Sequence, residues 1–180
     1  MATEIIRPNG TSSSTGFNLS GAELAAAISD SATDTLITQS NEEANFIVTF
    51  GNLSVSGVTI NSITVTVSAQ SSGRAAEANM SLAINLGGNI NLMSIAFGSD
   101  LASQVSSERT TNASSAQITE ANISDLTATI TAGEEGIAIA EIFATVDYSV
   151  VVPVLTYDDS AHHVDLTSGH IDISSGNIFI

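Results

Sequence analysis

Residues 45–51 read Asn45-Phe46-Ile47-Val48-Thr49-Phe50-Gly51, so that Phe46, Val48 and Phe50 alternate with Ile47, Thr49 and Gly51. Successive side chains of a strand point to opposite faces, and this period of two marks a half-buried strand. The same period returns at Ile63/Val65/Val67, Met80/Leu82/Ile84/Leu86, Leu126/Ala128/Ile130 and Ile142/Ala144/Val146/Tyr148/Val150. The polar partners are mainly Ser, Thr and Asn, which suit an exposed sheet face and not a helix. Connections read at Ser71-Ser72-Gly73, Gly87-Gly88-Asn89 and Gly133-Glu134-Glu135-Gly136, each with hairpin chemistry. About eight short strands at this spacing predict an antiparallel β-sandwich, jelly-roll-like in its connections.

Working outward, residues 98–120 are polar and weakly patterned, and read as a long crossover with one or two irregular strands. Toward the N-terminus, residues 7–16 combine Pro8, Asn9-Gly10 and a Ser/Thr cluster, which reads as a loop. Ser20 and Glu23 have capping-box spacing ahead of Leu24-Ala25-Ala26-Ala27-Ile28, so one short N-terminal helix is expected over 21–29. The expected organisation is an N-terminal arm over 1–20, a sandwich over 21–153 and a C-terminal arm over 154–180.

That arm carries the most specific pattern. Residues 164–170 read Val-Asp-Leu-Thr-Ser-Gly-His, 171–177 read Ile-Asp-Ile-Ser-Ser-Gly-Asn, and Ile178-Phe179-Ile180 begins a third copy. A helical heptad would place a glycine in every copy at about 1 kcal/mol each, so a β-repeat of strand triplets and turns is the better reading. Val164, Leu166, Ile171, Ile173, Ile178 and Ile180 then form a narrow apolar strip that repeat units of this size cannot bury alone. Its cover is either the sandwich of the same chain or a neighbouring subunit, with Pro153 and Asp158-Asp159-Ser160 as a hinge.

The chain has 19 acidic residues, three arginines and no lysine, a formal net charge of −16. Affinity for nucleic acid comes mainly from Lys and Arg neutralising phosphates, so neither nucleic acid nor an anionic membrane is an expected partner. Cysteine is absent, which removes disulfides, thiolate metal sites and thiol nucleophiles. The start lacks a basic n-region and an apolar h-region, and no apolar run reaches the ~18 residues of a membrane span. Synthesis in a cytoplasm without a signal peptide is the expectation, and Asn52, Asn79 and Asn122 read as ordinary residues within their sequons.

The three histidines, His162, His163 and His170, all lie in the arm. His163-x-Asp165 and His170-x-Asp172 place each pair on one strand face, a weak divalent-cation pattern that strand alternation alone also produces. Asp30 with Asp34, or Asp158 with Asp159, are the calcium alternatives. No cofactor is expected. Nucleophilic catalysis needs Ser, His and acid together, and the carboxylate pairs Glu42-Glu43 and Glu134-Glu135 are adjacent turn residues that point different ways, so no enzyme is expected. A carbohydrate-binding module is the rival reading. Phe46, Phe50, Phe143 and Tyr148 sit in patterns that suggest burial, which leaves Phe17, Phe97, Tyr157 and Phe179 as aromatics for sugar stacking.

Ile6-Arg7-Pro8-Asn9-Gly10-Thr11, Gly16-Phe17, an Ala-rich stretch ending at Asp30 and Asp34, and Glu141-Ile142-Phe143-Ala144-Thr145-Val146-Asp147-Tyr148 together resemble a sandwich domain of tailed-phage virion proteins. The resemblance spans roughly residues 5–150, and includes decoration (cement) proteins, head fibres and tail fibres. The aromatic after the first loop, often Trp in that family, is Phe17 here. The resemblance implies an outer capsid decoration protein on the virion surface, a homotrimer bound to the major capsid protein or another virion protein. A fibre adhesin that recognises host polysaccharide is the alternative.

Overall fold

The computed structural model describes residues 1–18, 28, 36–39, 44–72, 77–132, 136–151, 155–158, 163–166 and 169–172. The chain divides into two compact units, Met1–Ser149 and Val150–Ile180.

The first unit is an antiparallel sandwich of two sheets. One sheet runs in the order β1 (Ala2–Ile6), β10 (Ile137–Val150), β5 (Val58–Ser71), β8 (Ala102–Val105), with β3 (Ile37–Thr38) also paired to β10. The other runs β2 (Pro8–Thr15), β4 (Ala44–Phe50), β9 (Thr127–Ala132), β6 (Ala78–Asn85), β7 (Asn89–Phe97). Alternation does the positioning: Phe46, Val48 and Phe50 are buried while Asn45, Ile47 and Thr49 face outward, and β6 and β9 repeat the pattern. The inward rows of both sheets merge into one core containing Phe46, Ile63, Leu82, Ile130 and Val146. Each such side chain contributes about 1.5–3 kcal/mol on burial. In both 14-residue strands the core-facing parity changes once, between Ile60 and Ile63 in β5 and between Ile139 and Ile142 in β10.

Several expectations need correction. Residues 7–16 are not a loop: Pro8–Thr15 forms edge strand β2, because Ser and Thr suit a sheet and proline is tolerated at the first residue of an edge. Register shifts at Pro8/Gly10 and Thr11/Ser13 absorb the irregularity. The hairpins expected at Ser71-Ser72-Gly73 and Gly133–Gly136 are not formed by their flanking strands, since β5 and β6, and β9 and β10, belong to different sheets; Gly73 and Gly133–Glu135 themselves lie outside the described residues. Among the named strands of this unit, β6 and β7 alone are sequence neighbours that also pair. Their turn is the expected Gly87-Gly88-Asn89, with φ of 68° and 137° at the two glycines. A Cβ on Gly88 would come within 2.8 Å of Ala113 Cβ, so glycine is required there on both counts.

The polar segment 98–120 supplies β8, an isolated bridge from Arg109 to Ile63, and the cap of a short helix, α1 (Glu120–Ser124). Thr119 caps α1 by accepting from the Asn122 N–H, and Asn122 returns the bond to the Thr119 N–H. Of the helix expected over 21–29, Ile28 is helical and fully buried; the remainder lies outside the described residues, as do Glu42-Glu43 and Glu134-Glu135.

The second unit contains β11 (Leu155–Asp158), β12 (His163–Leu166) and β13 (Gly169–Asp172) in an antiparallel sheet of that order. Asp158, expected as part of a hinge, is the last residue of strand β11; Pro153, Asp159 and Ser160 lie outside the described residues. In the register Tyr157 is opposite Val164 and Leu155 opposite Leu166.

Candidate functional site

The strands β2, β4, β9, β6 and β7 contain no Asp, Glu, Lys, Arg or His at any position, in a chain whose net charge is −16. Pairing registers arrange the outward residues of this sheet in rows across β4, β9, β6 and β7. Asn45, Thr131, Ser81 and Ser94 form one row; Ile47, Thr129, Ala83 and Asn91 the next; Thr49, Thr127, Asn85 and Asn89 the third. Neighbouring positions are about 4.8 Å apart across strands and about 6.8 Å apart along them. The rows thus form a grid mostly of hydroxyls and amides, with Ile47 and Ala83 as its apolar positions. Each hydroxyl both donates and accepts, and each Asn side chain offers two N–H donors and a carbonyl acceptor.

One irregularity breaks the grid. Between Leu82/Met93 and Ala83/Asn91 the register of β6 and β7 shifts, leaving Leu92 as the extra residue of a bulge. Leu92 and Met93 both pack toward the core, while Asn91 and Ser94 on either side remain exposed. A depression of about 380 Å³ lies at this bulge, lined by three apolar residues, Leu82, Leu92 and Met93, and three uncharged polar ones, Ser81, Asn91 and Ser94.

The outer face of the other sheet differs in chemistry. Arg7 donates from Nη1 to Glu141 Oε1 at 2.6 Å, and its guanidinium lies 5.4 Å from the centre of the Phe143 ring. Thr3 Oγ1 donates to Asp147 Oδ1 at 2.5 Å. Phe143, expected in the core, therefore faces outward opposite in parity to Ile142 and Ala144, and Val150 at the strand end is 62% exposed, not buried.

The aromatics expected for sugar stacking are placed elsewhere. Phe97 is 1% exposed, and Phe17 packs edge-on against Phe46 with centroids 4.8 Å apart, so both serve the core. Tyr157 lies in β11, and Phe179 falls outside the described residues. Among the residues whose side chains are described, no group of three His, Asp or Glu could hold a metal. Asp30 and Asp34 lie outside the described residues. Likewise, among the described residues, no helix is long and apolar enough to cross a membrane.

His163, Val164, Asp165 and Leu166 make up β12, and His170, Ile171 and Asp172 end β13. Val164 is opposite Ile171, as an apolar strip requires, but Leu166 is opposite Gly169, and Ile173, Ile178 and Ile180 lie outside the described residues. The two copies of the repeat are thus antiparallel neighbours in register. Their face assignments were legible from alternation; their cross-strand partners were not, because the turn sets the register.

No family model matches the chain, and no curated protein matches it. Among solved structures it is similar to the C-terminal CBM6 of LamC, a marine laminarinase from Zobellia galactanivorans, at 9% identity over 81% of this chain and 98% of that one, with a TM-score of 0.48. It is also similar to the GH26-CBM35 β-(1,4)-mannanase of Podospora anserina, at 12% identity over 87% of this chain and 29% of that one, TM-score 0.41. A third is the carbohydrate-binding module CBM6cm-2 of Cellvibrio mixtus lichenase 5A in complex with cellotriose, at 11% identity over 83% and 99%, TM-score 0.41. At these values the likeness is one of overall sandwich architecture.

Proposed function

We propose that this chain is a non-catalytic recognition module whose uncharged sheet binds a neutral polysaccharide. The observation that carries the reading is the absence of any ionisable side chain from all five strands of that sheet in a chain of net charge −16. A neutral, hydroxyl-rich polymer is matched by a face of amides and hydroxyls that exchange its water-directed hydrogen bonds one for one. A carboxylate on that face would lose hydration under such a ligand without gaining a counter-charge, at a cost of several kcal/mol. The surrounding field of the protein repels anionic polymers. Lacking an exposed aromatic on the grid, a single module binds weakly, and useful avidity comes from many copies on one particle or surface.

The test is affinity electrophoresis of the full chain in gels containing neutral glucans, mannans or galactans, or sulfated and uronic-acid polymers. Retardation by at least one neutral polymer and none by the anionic ones supports the reading. Retardation by the anionic polymers alone, or by none of the panel, contradicts it.

A second reading is supported by the C-terminal sheet being a compact unit of its own, preceded by Val150 and Val151, which are 62% and 59% exposed. In this reading the chain is a phage virion component, a decoration protein on the capsid surface, and residues 154–180 link subunits or dock on a neighbouring virion protein. Deleting 154–180 then leaves a folded sandwich of monomer mass in light scattering, against a trimer for the full chain. Equal oligomeric states for the two would contradict it.

A further inference from the structure

All three histidines of the chain fall within nine residues, 162–170, and the C-terminal sheet brings two of them to one face with three aspartates. His163 is opposite Asp172 on one side and opposite Asp158 on the other, so the row across the sheet reads Asp158, His163, Asp172. Two residues along, Asp165 is opposite His170. Strand alternation places these five positions on one face and Tyr157, Val164 and Ile171 on the other. His163, Asp165, His170 and Asp172 therefore mark the corners of a rectangle about 4.5–5.5 Å across strands and about 6.8 Å along them.

From this juxtaposition we propose that the face of the C-terminal three-stranded sheet that carries positions Asp158, His163, Asp165, His170 and Asp172 binds a divalent transition-metal ion of the zinc type, its donors drawn from the two histidines and the aspartates of that face. Two imidazoles and two carboxylates are a borderline-soft donor set, which selects zinc-like ions over calcium and magnesium, ions that take oxygen alone. The two histidines occupy diagonal positions, each in register with an aspartate on the neighbouring strand, so an ion held by this face would join β12 to β13. Binding adds its free energy to the formation of this small sheet. The repeat of His-x-Asp every seven residues acquires a reason: in antiparallel register it is the pattern that delivers two His/Asp pairs to one face.

Zn²⁺ is titrated into the full-length protein by calorimetry at pH 7.5, with His163→Ala/His170→Ala and Asp165→Asn/Asp172→Asn as comparison variants whose fold is checked by circular dichroism. The expected result is one Zn²⁺ per chain, weakened at least about tenfold in both variants, lost as the pH falls below the histidine range, and not competed by equal Ca²⁺ or Mg²⁺. X-ray absorption of the wild-type complex should show imidazole in a nitrogen/oxygen shell at about 2.0–2.1 Å. Absence of binding, binding unchanged in the histidine variant, or a metal shell without imidazole would overturn the proposal.

Discussion

Phe46 is fully buried, and Phe17 meets its ring edge-on at an interplanar angle of 89°. The contact ties residues just after β2 to the middle of β4, so a loop-like segment of the sequence gains a hydrophobic anchor. Phe46→Ala removes both the buried ring and this edge contact, and is expected to destabilise the sandwich by about 3–5 kcal/mol in denaturant unfolding. Phe46 was legible as core from alternation alone. Phe143 has the parity opposite to Ile142, Ala144 and Val146, on the side of Glu141 and Asp147, but an aromatic within the strand reads as core from its own hydrophobicity. Arg7 decides the matter by pairing with Glu141 and covering the Phe143 ring, a contact between residues 134 positions apart.

Elements were readable where one period held throughout, as in β4, β6 and β9. They were obscured where a bulge interrupts the period: Leu92 and Met93 are adjacent and both pack inward, so β7 shows no clean alternation, and both line the depression in the candidate site. Helix α1 is faint in the sequence for a different reason. Its capping box closes with Asn122 in place of the usual Glu or Gln, and the helix is five residues long. Thr119→Ala removes the acceptor for the Asn122 N–H and is expected to cost about 1 kcal/mol by thermal or denaturant unfolding. Strand pairing lay further from view still, since inward residues of either sheet look alike and most connections cross between sheets. Turn residues between consecutive strands suggest hairpins, whereas β5 and β6, and β9 and β10, belong to different sheets.

Across the whole molecule, charge is distributed unevenly. Acidic residues occur in the other sheet, at Glu4, Glu141 and Asp147, and in the second unit at Asp158, Asp165 and Asp172, while five paired strands have none. A strongly acidic protein keeps partners of its own sign at a distance, and a neutral face is where an uncharged surface can approach without that penalty. The composition announced the charge, but its exclusion from one sheet became visible only when the pairing was known. Thr129 stands at the centre of the grid, facing outward between Ile47 and Ala83. The most direct measurement compares the retardation of wild-type protein and Thr129→Glu by a neutral polysaccharide that the wild type binds. The expected result is an intact fold with affinity reduced at least about tenfold, roughly 1.4 kcal/mol; an affinity unchanged by a carboxylate at this position would contradict recognition through the uncharged sheet.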